Sequence, residues 1–188
     1  MKNQQDIINS VLAGDTDAFR RIIEENERLV AHVVFRMIPH EADRQDMCQD
    51  IFVKVFQNLK KFKFKSKLST WIAQISYNHC LNYLEKKKIP LLEDIASDNM
   101  TNGWPAQENS PETDAVNHDI STLLKESIAS LPAHFRTIVT LYHLDDMSYN
   151  EISEVMSIPV GTIKSYLFRA RKLLKERLVH TYGQEALC

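Results

Sequence analysis

Apolar residues recur every three or four positions through most of the chain, the spacing of amphipathic helices. Ile7, Ile8, Val11 and Leu12 mark the first stripe, and Gly14-Asp15 interrupts it. A second stripe runs through Phe19, Ile22, Ile23, Leu29, Val30, Val33 and Val34 and stops before Pro39, with Thr16 or Asp17 as its cap. The pattern predicts a third helix from about Ala42 to Leu59, with Cys48, Ile51, Phe52, Val55 and Leu59 on one face. A lysine-rich loop, Lys60 to Lys67, leads to a fourth helix from about Ser69 to Lys87. Trp71, Ile72, Ile75 and Leu84 are its inward positions, and Pro90 ends it.

The periodicity fails from Leu91 to about His118. Asn102-Gly103, Pro105 and Ser110-Pro111 are turn signals there, and only Leu92, Ile95 and Trp104 stand out as able to dock. Helical spacing resumes near Ile120 with Leu123, Leu124, Ile128 and Leu131. Pro132 opens a segment carrying Ile138, Val139, Leu141, Tyr142 and Leu144. Ser148-Tyr149-Asn150-Glu151 is a capping box, in which each side chain satisfies a free backbone N–H at the other's position. It starts a short helix to Met156. Ser157-Ile158-Pro159 turns the chain into a last helix from about Val160 to Val179. No strand run is visible. The fold class expected is all-α, with two small helical domains, residues 1–90 and 119–188, joined by a linker over residues 91–118.

Composition agrees. Four glycines in 188 residues suit helices better than strand-and-turn architectures. No run of about 18 apolar residues exists, so no membrane insertion is expected. The N-terminus lacks the apolar stretch and cleavage site of a secretory signal, so the expected compartment is the cytoplasm. Cys48, Cys80 and Cys188 lie far apart with no Cys-x-x-Cys pair, and they read as reduced thiols. No metal site and no cofactor are expected.

The net charge of −2 argues against a nucleic-acid binder until its distribution is seen. Lys54 to Lys88 holds nine lysines and one acid, Glu85. Leu91 to Asp119 holds seven acids and no Lys or Arg. Val160 to Arg177 holds six basic residues and one acid, Glu176. Two basic blocks flank an acidic connector, and two such blocks on separate helical units point to phosphate binding rather than to solvated faces alone.

A short helix, a tight turn and a longer basic helix make a helix-turn-helix, whose second helix fits the DNA major groove. Ile152, Val155, Met156, Ile163, Leu167 and Ala170 would pack inward. Lys164, Ser165, Phe168, Arg169, Arg171 and Lys172 are left on the outer side. Lys and Arg can donate to guanine or to phosphates, Ser165 suits a phosphate or a base edge, and Phe168 suits a thymine methyl. Tyr166 reads either as core or as lying on the DNA backbone.

Leu131-Pro132, Leu141-Tyr142-His143-Leu144-Asp145, Ser148-Tyr149-Asn150-Glu151-Ile152 and Pro159-Val160-Gly161-Thr162-Ile163-Lys164-Ser165-Tyr166-Leu167-Phe168-Arg169-Ala170-Arg171 resemble region 4 of the extracytoplasmic-function sigma factors of the sigma-70 family. The resemblance implies binding of the −35 promoter element, with Lys164, Ser165, Phe168 and Arg169 at the base and backbone contacts. Two positions depart: the family commonly has glycine where Asp146 sits and often arginine where Tyr166 sits.

Asp43 to Phe56 resembles region 2.2 of the same family, which docks on a coiled coil of the polymerase β′ subunit. Asp43, Asp46 and Asp50 fall at three- and four-residue spacing and share a helix face. Gln49 adds a hydrogen-bonding group and Phe56 an apolar one. Exposed ion pairs are worth only about 0–1 kcal/mol each, so docking must also bury apolar surface.

Phe62 to Asn78 resembles regions 2.3 and 2.4, which hold the non-template strand of the −10 element and capture an unstacked base. Lysines follow phosphates, aromatic faces stack on bases, and amide and hydroxyl groups read a flipped base's edge. The residues this assigns are Lys63, Lys65, Lys67, Ser69, Thr70, Gln74 and Asn78. Trp71 reads as core first and as a wedge in DNA second. The family often has glycine at the position of Phe64 and an acid at that of Lys65, so a stiffer and more basic loop is expected here.

The partners implied are promoter DNA, core RNA polymerase through its β′ coiled coil and β subunit, and an anti-sigma factor as the family's usual regulator. The rival readings are a dimeric helix-turn-helix repressor with an N-terminal sensor and an enzyme. For the enzyme, the sequence offers no carboxylate pair in a plausible pocket, no Gly-rich phosphate loop and no nucleophile motif.

Overall fold

The structure, a computed structural model, describes residues 2–87 and 124–182. Helix α1 spans Lys2–Leu12, α2 Thr16–Met37, α3 Glu41–Asn58 and α4 Leu68–Lys86. A single 3₁₀ turn, Leu59–Lys61, follows α3. After the gap, α5 covers residues 124–129, then come α6 Ala133–His143, α7 Tyr149–Met156 and α8 Val160–Tyr182. No strand occurs among the described residues. The expected linker, with Leu92, Ile95 and Trp104, lies outside them, as do Ile120, Leu123 and Cys188.

Helix α2 is the axis of the N-terminal unit. Ala18, Ile22, Asn26, Val30, Val33, Val34 and Met37 are buried along it at three- and four-residue steps. Asn26 is tolerated inside because its Nδ2 donates to the Ile22 carbonyl at 2.8 Å. The cap of α2 is Asp15, not Thr16 or Asp17: its carboxylate accepts from the N–H groups of Asp17 and Ala18. The turn before it is made by Gly14 at φ +100. Met47, Ile51, Phe52 and Val55 of α3 are buried, and the expected face position Cys48 is half-buried.

The C-terminal unit is the expected helix-turn-helix. Ser148 and Glu151 form both bonds of the capping box at the start of α7. Ile152, Val155, Met156, Ile163, Leu167 and Ala170 are all buried between α7 and α8. Ser157 ends α7 in a left-handed conformation, φ +57, and the Ser153 hydroxyl donates to the Ile158 carbonyl across the turn. Leu144, expected on the inner stripe, is 44% exposed at the end of α6.

The two units are packed on each other. Helix α6 lies against α2, and α7 lies against α4. The sequence pattern identifies the units but does not predict this junction.

Candidate nucleic-acid and polymerase interfaces

The outer face of α8 carries Lys164, Ser165, Phe168, Arg169, Arg171 and Lys172, all exposed. Phe168 is 70% exposed, which no packing requirement explains. Ser165 donates to the Gly161 carbonyl at 3.0 Å, and Lys172 lies 3.8 Å from Glu176 one turn on. Tyr166 is half-buried, and its ring meets Phe135 edge-on at 5.3 Å, which gives it a packing contact.

Two further residues shape this face, and the sequence reading misses both. Tyr142 on α6 and Tyr149 on α7 stack with centroids 5.1 Å apart and planes 13° from parallel. The Lys164 ammonium sits 5.6 Å above Tyr149, and the Arg171 guanidinium 5.2 Å above Tyr142. Lys164 and Arg171 are two turns apart on α8, so the stacked pair props two candidate DNA cations at once. Arg171 also approaches His143 Nε2 at 3.1 Å. Burial and the neighbouring Arg171 charge hold that imidazole below its ordinary pKa, which keeps it an acceptor. The available signal was one tyrosine late in α6 and another inside the capping box, and such residues are too common to single out.

In the N-terminal unit, Lys63, Lys65, Lys67 and Asn78 are exposed, Ser69 and Gln74 half-buried. Phe62 is buried and gathers Phe64 at 4.9 Å and Trp71 at 5.2 Å. Trp71 is thus half-buried against the core. Phe64 adopts φ +55 and Asp146 φ +50, the two positions where the resemblance implies glycine. Both positions take the left-handed backbone that glycine adopts most easily. The stiffening expected at Phe64 thus takes the form of a bulky side chain held in a strained conformation.

Thr70, expected at an unstacked base, is covered in this structure. It is 1% exposed and its hydroxyl has no hydrogen-bond partner. In this arrangement it reaches no ligand. The physical reason is the junction. Lys67, Thr70, Gln74 and Tyr77 fall at steps of three, four and three along α4 and form one stripe. Lys67 Nζ lies 2.8 Å from Glu151 Oε1, Gln74 Nε2 donates to the Glu154 carbonyl at 2.9 Å, and the Tyr77 hydroxyl is 2.8 Å from His134 Nδ1. Burial pushes the Glu151 carboxyl up, but hydrogen bonds from Lys67 and Ser148 outweigh it and hold the group below its usual value.

Helix α2 completes the junction. His32 Nδ1 lies 2.8 Å from Asp145 Oδ1, Arg28 donates to the Leu144 carbonyl, and Arg36 Nε donates to Thr140 Oγ1 at 3.1 Å. Burial raises the Asp145 carboxyl, with His32 and Arg28 opposing and Asp146 adding to the rise. Like charges also meet here. Burial lowers the pKa of Arg36 and of Arg136, helped by Arg44 in the first case and by Arg36 and Arg44 in the second.

On α3, Asp46, Gln49 and Asp50 are exposed. Phe56 is 53% exposed beside Phe19, ring centroids 5.0 Å apart. Asp43 differs from the expectation of one free acidic face, because the Tyr83 hydroxyl of α4 donates to its carboxylate. At the other end of the stripe, His79 lies 4.0 Å from Asp50 and its Nδ1 is 2.7 Å from Lys54 Nζ. Burial, then Lys54, lowers the pKa of His79.

Cys48 is half-buried with its thiol pushed up by burial. Cys80 is fully buried, its thiol pushed up to about 12 by burial and by Cys48 nearby. Both are held as thiols. Among the described residues no group of His, Cys, Asp and Glu is placed to hold a metal.

Two family models match the chain: Sigma-70 region 2 over residues 22–89 and Sigma-70, region 4 over residues 121–174. The ECF RNA polymerase sigma factor SigW of Bacillus subtilis is 30% identical over 176 residues, 91% of this chain and 94% of the relative. The ECF RNA polymerase sigma-E factor of Escherichia coli K12 is 31% identical over 179 residues, 93% of each. Among solved structures, CnrH in complex with the cytosolic domain of CnrY superposes with a TM-score of 0.64 at 17% identity, covering 92% of this chain and 94% of that one. RpoE of Bartonella quintana, in complex with the anti-sigma factor NepR, gives 0.63 at 22% identity, covering 85% and 96%. These two likenesses are of fold.

Proposed function

The chain belongs to the extracytoplasmic-function sigma factors of the sigma-70 family, and from that membership we propose how its two units divide the work of starting transcription. Members are initiation factors, which direct RNA polymerase to particular promoters and leave RNA synthesis to it. In this chain, α8 enters the major groove of the −35 element. Lys164 and Arg169 contact bases and phosphates, Ser165 a phosphate or base edge, and Phe168 a thymine methyl. The Tyr142–Tyr149 stack holds Lys164 and Arg171 toward the DNA.

The loop of Lys63, Lys65 and Lys67 follows the phosphates of the non-template strand at the −10 element. Ser69, Thr70, Gln74 and Asn78 read a base pulled out of the stack. Opening the duplex is driven by capture of the displaced strand, not by hydrolysis. Asp46, Gln49, Asp50 and Phe56 on α3 dock on the polymerase β′ coiled coil, where the exposed Phe56 ring supplies the apolar area that ion pairs alone lack. The C-terminal unit meets the β subunit, and residues 91–118 connect the two. The chain works beside the polymerase in the cytoplasm. No described helix is long and apolar enough to cross a membrane. An anti-sigma factor is the regulatory partner, as the complexes formed by the structural neighbours suggest.

The observation that carries this reading is the pair of exposed cationic and aromatic surfaces, one on α8 and one on the loop before α4. The test separates them with core polymerase present. Lys164→Ala with Arg169→Ala should abolish binding to duplex containing the −35 element, and Lys63→Ala with Lys65→Ala should leave that binding but impair opening. Loss of polymerase binding in both pairs would count against the division of labour.

A further inference from the structure

The stripe of α4 assigned to the captured strand is already occupied in this structure, and its occupant is α7. Lys67, which would follow a phosphate, is bonded to the Glu151 carboxylate. Gln74, which would read a base, donates to the Glu154 carbonyl. Thr70 lies between them on the same stripe and is buried. Carboxylate and phosphate are alike to a lysine ammonium, since both are anionic acceptors.

The fit of α7 is incomplete in two places. The Thr70 hydroxyl is buried with no partner, a costly state for a surface built only for α7. Beside it, an open cleft runs between the units, lined by Leu29, Lys67, Ser69, Asp145, Met147 and Glu151. A face whose second ligand carries hydrogen-bonding bases and phosphates is expected to leave such groups unmet by a helix. The rest of this face, Lys63, Lys65 and Asn78, stays exposed, and so do the other two interfaces. Phe168, Lys164 and Arg169 on α8, and Asp46, Gln49 and Asp50 on α3, stay exposed while the units are packed. The side chains that bond across the junction are polar or charged, and the Arg36, Arg44 and Arg136 charges repel one another there. That repulsion opposes the apolar contact that joins the two units in one core.

We propose that α7 is a built-in competitor for the single strand. It seats on the Lys67–Thr70–Gln74 stripe with the Glu151 carboxylate in the place of a strand phosphate, so that the chain alone covers the Thr70–Gln74 part of its strand-capturing face while Lys63 and Lys65, its polymerase face and its −35 face stay open. The proposal rests on the strand-capture reading above. Binding of single-stranded DNA and packing of α7 are then mutually exclusive, and each weakens the other by the same factor.

The test titrates the full chain with fluorescein-labelled single-stranded DNA of randomised sequence and follows its dimensions by small-angle X-ray scattering. Glu151→Gln keeps a capping-box residue at this position but removes the carboxylate from Lys67. Asp145→Asn removes the acid beside His32. The double variant is expected to bind the single strand about fivefold tighter than the unaltered chain, and the DNA-bound form of either is expected to be more extended than the free form. Equal affinity of the two proteins overturns the proposal, and so does a strand bound to a chain that stays compact. Promoter opening by Lys67→Ala and Gln74→Ala variants with core polymerase distinguishes the two layers. If opening is unimpaired, the strand-capture reading fails. If opening is impaired while the double variant gains no affinity, only the competition by α7 fails.

Discussion

Asp146→Gly should raise the stability of the folded chain. Asp146 sits at φ +50 in the turn that carries α6 into the capping box of α7. An L-residue in this region costs about 1–2 kcal/mol, with Asp at the low end because its short side chain tolerates it. Glycine has no such cost but loses more freedom on folding, roughly 0.5–1 kcal/mol. The difference leaves a gain of up to about 0.5 kcal/mol from the backbone. A second effect has the same sign. The Asp146 charge helps push the neighbouring Asp145 carboxyl up, and removing it favours the ionised Asp145 that faces His32.

Phe64→Gly is the matched comparison, since Phe64 has nearly the same backbone, φ +55. There the relief of strain is offset by loss of the ring that meets Phe62 at 4.9 Å, a contact worth about 0.5–1.5 kcal/mol. A chain of this length shifts its Tm by about 2–4 °C per kcal/mol. Calorimetry should therefore show Asp146→Gly melting higher by up to about 1–2 °C and Phe64→Gly unchanged or lower. A fall in Tm for Asp146→Gly would mean that its side chain makes a contact outweighing the strain, and the argument from backbone conformation would be wrong.

Three other outcomes are expected. Lys164→Ala and Arg169→Ala should each flatten the dependence of log promoter affinity on log salt by about 0.9, the slope of one phosphate contact, in holoenzyme binding measurements; an unchanged slope would remove that residue from the phosphate-contacting set. Asp46→Ala with Asp50→Ala should reduce recovery of core polymerase in a pull-down while circular dichroism stays unaltered, because both side chains are exposed, and undiminished recovery would reject the α3 docking face. His79 has a depressed pKa in the fold, so its contribution to stability is complete above the unfolded value of about 6.5 and is lost as pH falls through the folded value. Chemical denaturation between pH 7.5 and 5, roughly the window this sets, should show stability falling, and His79→Asn should flatten that fall; an equally steep fall in the variant would clear His79 of the effect.

What was legible in the sequence was what local chemistry dictates. The capping box of Ser148 and Glu151 is a four-residue event, and the inward set of the helix-turn-helix follows from spacing alone. The exposed cations of α8 are the complement of that set. What depends on distant chain was hidden. Thr70 reads as an exposed polar residue because nothing near it in sequence announces that α7 will cover its stripe. Asp43 reads as one of three equivalent acids until α4 brings Tyr83 to it. Glu151 reads only as a cap, although one carboxylate oxygen serves the box and the other meets Lys67. Phe64 and Asp146 mark the limit differently: the resemblance flags both, but only the backbone shows that each adopts a left-handed conformation without glycine.

The central claim is that these two helical units, bound to core polymerase, open a promoter by holding bases that have left the duplex. Permanganate mapping of unpaired thymines on genomic fragments, with core polymerase and no nucleotides, tests it most directly. Reactive thymines are predicted just upstream of the start site only when both chain and core enzyme are present, and they should weaken in Lys63→Ala with Lys65→Ala. Absence of reactive thymines on every fragment, or the same pattern with core enzyme alone, would contradict it.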